Sequence, residues 1–206
     1  MPTTFPTRVI PLTIDEFARR VRSKEVTATE VLEGCLQRIE AQNPTLNAFI
    51  LVTANEARRE ARRADQELAA GQDRGPLHGV PISIKDLFDV TDTPTTAASR
   101  VRDGHVANTD ATAITRLRQA GAVLIGKTNL HEFAFGTTNE DSGYGPARHP
   151  LDPSRSPGGS SGSRAGPYPE SSLVVPNANS WRLVLPMRTA PACRSRVIAV
   201  ASVLAT

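Results

Sequence analysis

Helix-start signals alternate with short apolar runs between Thr13 and Ile125, and this alternation constrains the fold more than any other feature of the chain. Thr13-Ile14-Asp15-Glu16 and Thr27-Ala28-Thr29-Glu30 both read as capping boxes. In such a box the N-cap hydroxyl accepts from the N3 backbone, and the N3 carboxylate reaches back to the N-cap N–H. The first box opens a short helix to about Arg22. The second opens a helix with Val31, Leu32, Cys35, Leu36 and Ile39 on one apolar face, expected to end before Pro44. Leu46 to Val52 reads as a strand. Glu56 to Ala70 reads as a helix closed by Gly71, and its pairs Arg58-Arg59 and Arg62-Arg63, interleaved with acids, predict a solvated face. Val80 to Ile84 reads as a strand, Asp110 as the cap of a helix reaching about Ala120, Val123 to Ile125 as a short buried strand, and Leu130 to Phe135 as a helical turn. Helices alternating with short apolar strands place the chain in the α/β class.

Two short segments carry candidate chemistry. Pro157-Gly158-Gly159-Ser160-Ser161-Gly162 is a backbone device, because glycines permit dihedrals and close approaches that a Cβ forbids. Hydroxyls held in such a loop serve as proton relays or nucleophiles; the same composition also suits a linker. Lys85 ends the apolar run Val80 to Ile84, where loss of hydration favours a neutral amine. A lysine base with a serine relay is a known variant of serine chemistry. The bland reading of Lys85 is a surface lysine with Asp86 as its local partner.

A rival motif fails on physical grounds. Gly121-Ala122-Val123-Leu124-Ile125-Gly126-Lys127-Thr128 fits the phosphate-loop pattern. A phosphate loop needs a strand before its first glycine and an open polar cradle after it. Here the residues between the glycines are apolar, and Val123 to Ile125 are themselves the strand. His131-Glu132 lacks a second histidine four residues on, so it is not a zinc helix motif, and no metal or organic cofactor is implied.

Taken with these segments, Pro76-Leu77-His78-Gly79-Val80-Pro81-Ile82-Ser83-Ile84-Lys85-Asp86, Ala120 to Asn129, Glu132-Phe133-Ala134-Phe135-Gly136 and Asp152 to Gly162 resemble, in order, the motifs of the amidase signature family. The resemblance spans roughly Leu12 to Gly162. It implies the N-terminal part of that family's fold, an incomplete mixed β-sheet flanked by helices. It also implies hydrolysis of amide carbon–nitrogen bonds through a Ser-Ser-Lys triad, with Lys85 as base and Ser160 as relay, the peptide bond before Ser160 being cis. Gly158, Gly159, Ser161 and Gly162 would support the loop. Phe135 and Gly136 would line the acyl pocket, an ordinary helix end with a buried aromatic being the open alternative. The family includes the glutamine-hydrolysing component of tRNA-dependent amidotransferases, so a transferase role stays open.

The chain departs from the family after Gly162. About two dozen residues past the relay serine the family presents its nucleophile in a second glycine-rich serine loop, whose backbone N–H groups also stabilise the oxyanion. Here that region reads Trp181-Arg182-Leu183-Val184-Leu185-Pro186, and no glycine follows Gly166. No nucleophile is identified, and the chain is expected to be inactive; a non-catalytic fragment or interaction module is the alternative.

The division falls near residue 164: an amidase-like region over 1–164, then a divergent tail over 165–206, expected to be disordered or out of frame. Residues 1–164 hold 20 basic and 20 acidic residues, so the whole net charge of +3 lies in the tail. A neutral body offers no basic, aromatic-studded face for nucleic acid. No run reaches membrane-spanning length, the start lacks a leader pattern, and Cys35 and Cys193 make no disulfide framework, so a cytoplasmic location is expected. The expected partner is a small amide substrate; the sequence sets no oligomeric state.

Overall fold

The computed structural model describes residues 13–150 and 152–157. Its elements are α1 (Ile14–Arg22), α2 (Ala28–Leu46), β1 (Phe49–Val52), α3 (Ala54–Ala69), β2 (Pro81–Lys85), α4 (Thr112–Gln119) and β3 (Val123–Thr128), with single 3₁₀ turns at Arg100–Arg102 and Glu132–Ala134. The expected α/β class is the one observed. Strand β3 is central, antiparallel to β1 and parallel to β2, so the sheet is mixed.

Both helix starts form where the capping boxes predict. The Thr13 hydroxyl accepts from Glu16 N at 3.0 Å. At α2 the box is reciprocal: Thr27 Oγ1 accepts from Glu30 N, and Glu30 Oε2 accepts from Thr27 N. The apolar face of α2 meets α3 and β2 through Val31, Leu32, Cys35, Leu36 and Ile39, all buried. Ala57, Ala61 and Ala64 are the small buried residues of α3, and they let that helix lie close to α2 and β3.

Helix α2 does not stop before Pro44. It carries Pro44 inside its last turn and ends at Leu46, with Asn47 in the left-handed region at φ 49°. Proline removes one N–H donor. Here the turn is held from its other groups: Asn47 N donates to Asn43 O at 2.8 Å, and the Asn43 amide exchanges two hydrogen bonds with the Phe49 backbone. Leu46 is the buried end of this helix, so the strand expected from Leu46 begins at Phe49.

Asp110 does not cap α4, whose N-cap is Ala111. Its carboxylate instead accepts from the Thr91 N–H and hydroxyl and pairs with Arg118 at 3.0 Å. The face of α3 is not wholly solvated either. Arg58 pairs with Glu33 of α2, but Glu60 is buried against Arg118 and the β3 backbone.

Strand β3 runs three residues further than expected and is buried throughout, Lys127 included. Its pairing skips a residue: Ile82 faces Leu124, but Ser83 faces Gly126, so Ile125 is the extra residue of a bulge. A Cβ on Gly126 would meet Leu51 O, which explains a glycine at this close approach. The pairing also answers the phosphate-loop motif: its residues 123–128 are sheet strand, with N–H groups committed to neighbours.

Candidate active site

The site gathers at the C-terminal ends of the parallel strands β2 and β3, the end at which ligands bind in open α/β sheets. Lys85 is the last residue of β2, level with Thr128, the last residue of β3. It is half-buried, and burial pushes its amine below the ordinary lysine value. Among the described residues no carboxylate forms an ion pair with it. A lysine so placed can give up its proton and act as a base.

Asp86, next in the chain, is not its partner. The carboxylate is buried, at 1% exposure, and points into the fold. Oδ1 lies 2.9 Å from Lys127 Nζ. Oδ2 accepts from Thr96 N at 3.0 Å and from Thr96 Oγ1 at 2.5 Å. Lys127 Nζ also donates to Pro94 O and Thr95 Oγ1, both at 2.6 Å. Burial pulls the Lys127 amine down, and the contact with Asp86 opposes that pull. This polar knot ties the segment 94–97 to both strands.

The segment is bent by unusual backbone. Ala97 and Ala98 both have φ 55° and are buried, and Phe133 and Ala134 sit at φ 50° and 59°. Left-handed conformations at residues with a Cβ cost of order 1–3 kcal/mol each and cluster at functional sites. The two bends hold each other: Phe133 N donates to Ala97 O at 2.9 Å, and Gly143 N donates to Ala98 O at 2.7 Å. Asn129, fully buried just beyond β3, locks the same region. Its Nδ2 donates to Asn47 O and Gly145 O, and its Oδ1 accepts from Leu130 N and the Ser142 hydroxyl.

The expected pocket residues lie on the outside of this frame. Phe135 is 92% exposed, which removes the alternative of a buried aromatic at a helix end. Gly136 lies so close to the His131 ring that a Cβ there would strike it. Gly158, Gly159, Ser160, Ser161 and Gly162, the peptide bond before Ser160, and Cys193 lie outside the described residues. Just before that segment, the Ser156 hydroxyl donates to Thr138 O. Asp86, Thr95, Thr96 and Lys127 form a cluster that the sequence does not single out, and Asn129 a separate one. The usable signal is Lys127 itself, since a lysine inside a buried strand demands a counter-charge.

Residues 30–165 match the family model described as Amidase. The chain belongs to the amidase family. Over 154 residues this amidase chain is 46% identical to the A-type component of the glutamyl-tRNA(Gln) amidotransferase of Anaeromyxobacter dehalogenans (strain 2CP-C), covering 75% of the chain and 31% of that protein. Over 164 residues it is 40% identical to the same component in Carboxydothermus hydrogenoformans (strain ATCC BAA-161 / DSM 6008 / Z-2901), covering 80% of the chain and 34% of that protein. Among solved structures it superposes on the native peptide amidase of Stenotrophomonas maltophilia with a TM-score of 0.68 at 36% identity, covering 76% of this chain and 33% of that one. A bacterial aryl acylamidase of the amidase signature family gives a TM-score of 0.65 at 31% identity, with 74% and 32% covered. The amidase chain thus spans about a third of the length of the curated relatives it matches. Among the described residues no helix is long and apolar enough to cross a membrane.

Proposed function

We propose that this chain carries the base half of an amide-hydrolysing site. Lys85 accepts a proton from Ser160, the relay, and the substrate is a small amide. The observation that carries the reading is the setting of Lys85: half-buried at a strand end, pushed toward neutrality by burial, with its adjacent carboxylate paired elsewhere. Gly158, Gly159, Ser161 and Gly162 give the relay serine its backbone path, and Phe135 and Gly136 border the acyl side. In a complete triad the relay would pass the nucleophile's proton to Lys85 as the nucleophile attacks the amide carbon. The acyl-enzyme would form as the amine leaves. Because residues 165–206 offer no glycine-framed serine to attack, the 206-residue chain does not turn amides over by itself, and the division near residue 164 marks where its chemistry stops. A cytoplasmic setting fits the absence of a disulfide framework.

Amido transfer is a second reading, favoured by the amidotransferase components among the relatives. A non-catalytic interaction module remains the reading from a different class. The test is release of ammonia or amine from glutamine, simple amides and p-nitroanilides by the purified chain. No release is expected. Turnover abolished by Lys85→Ala would overturn the inactivity while supporting the role of Lys85. Turnover indifferent to Lys85→Ala would sink the base assignment.

A further inference from the structure

We propose that Lys127 is a positioning residue for the Lys85 amine: it holds the Asp86 carboxylate inside the fold, away from the base that precedes it in the chain. The inference rests on the reading of Lys85 as a proton acceptor. It concerns a residue whose phosphate-loop reading the fold has ruled out.

The argument begins with strand geometry. Successive side chains on a strand point to opposite faces, and residues paired across a ladder point to the same face. Ile84 pairs with Lys127 and Lys85 pairs with Thr128. Lys127 therefore shares the face of Ile84, and Asp86, one residue past the end of β2 but still bonded through its N–H to Thr128 O, returns to that face. Lys85 points the other way. The 2.9 Å contact between Lys127 Nζ and Asp86 Oδ1 is the direct consequence.

The electrostatic need is equally plain. An opposite charge within a few ångströms stabilises an ammonium, so a carboxylate turned toward Lys85 would hold the proton that a base must release. Asp86 is the carboxylate most able to do this, because it is covalently adjacent. Lys127, Thr96 N and Thr96 Oγ1 occupy its oxygens instead. The other charged groups acting on this cluster are Asp89 and Arg102, which act on Lys127 with opposite signs. Burial is the cause of the downward shift at Lys85.

The chain has only three lysines, Lys24, Lys85 and Lys127, which makes the test direct. The full chain is grown with lysine carrying 13C at Cε, and each amine is titrated by NMR. Lys24→Met assigns the exposed signal. In the unmodified chain Lys85 is expected to titrate below the ordinary lysine value. Lys127→Met should raise the Lys85 midpoint by about 1 unit or more, the effect of an uncompensated carboxylate nearby. The double variant Asp86→Asn/Lys127→Met should bring it back to its starting value. If Lys127→Met does not fold, Lys127→Gln, which keeps a donor toward Asp86 and drops the charge, carries the same expectation. A folded Lys127 variant with an unmoved Lys85 midpoint overturns the proposal, as does a double variant whose midpoint stays high. A Lys85 that already titrates at the ordinary lysine value in the unmodified chain overturns the base assignment itself. That outcome is separable from the others, because it needs no variant of Lys127.

Discussion

The carboxylate of Glu60, on α3, accepts a hydrogen bond at 2.8 Å from the backbone N–H of Leu124, on β3. Strand β1 ends at Val52, so it offers no ladder partner to the first half of β3. The start of α3 takes over that duty. Thr53 Oγ1 donates to Leu124 O, Thr53 N donates to Ile125 O, and Glu60 receives the Leu124 N–H. Burial pushes the Glu60 carboxyl above its ordinary value, against the pull of the Leu124 N–H and of Arg118. Glu60→Ala leaves a buried donor without an acceptor and should cost about 2 kcal/mol. Glu60→Gln keeps an acceptor and should cost less than the alanine variant. Urea unfolding of both variants, with equal m-values as the check on two-state behaviour, measures the difference.

Asp65, also on α3, caps the start of α2 from outside that helix. Its Oδ1 accepts from Ala28 N at 2.7 Å, and its Oδ2 accepts from Thr29 N at 3.1 Å and Thr29 Oγ1 at 2.6 Å. With Glu30 N served by Thr27, the first N–H groups of α2 are all accounted for. Asp65→Ala should cost about 1–2 kcal/mol, the upper part of the range for a lost cap, and Asp65→Asn distinctly less. The readout is the shift in the urea midpoint.

Stability should rise with pH in the alkaline range, and Lys85 should be one cause. Its folded-state amine binds a proton more weakly than the unfolded lysine. Between the lowered folded value and the ordinary one, the unfolded chain holds more protons, so raising the pH favours the folded state. Below the folded value both states are charged and the full burial penalty applies. Lys127 contributes with the same sign. The difference between the unmodified chain and Lys85→Met isolates the Lys85 share. Lys85→Met should be the more stable at about pH 7, and its advantage should shrink toward about pH 10.

ATP with magnesium should leave the melting temperature unchanged. Lys127 is 2% exposed and spends its donors on Asp86, Pro94 O and Thr95 Oγ1, so nothing is left to meet a phosphate. A ligand-dependent rise in melting temperature, lost in Lys127→Gln, would contradict this.

The sequence carried the local rules and lost the long-range ones. The starts of α1 and α2 were legible because a capping box is complete within four residues. The strand ending at Lys85 was legible from its unbroken apolar run. Pro44 misled because the cost of its missing N–H is local, whereas the Asn43–Phe49 exchange and the burial of Leu46 that offset it are set by the fold. Asp110 misled for a related reason: its carboxylate found Thr91 and the Arg118 side chain in the last turn of α4 rather than the N–H groups at the start of that helix. Of the candidate site, Lys85 and the motifs around it were readable by type and spacing. The Asp86–Lys127 pair was not, because it joins two separate strands and depends on their register.

That register turns on one skipped rung. Pro81 faces Val123 and Ile82 faces Leu124; an unbroken count would then set Lys85 against Lys127. Two ammonium groups would share one flank of the sheet, and Asp86 would be stranded on the other. The single surplus residue at Ile125 shifts the count by one and separates them. Pressing Ile125 into the ladder opposite Ser83 would therefore do more than smooth a strand: it would reverse which lysine meets the acid, turning an attraction into a repulsion without altering any charged residue, whereas deleting Ile125 would leave Lys127 opposite Ile84.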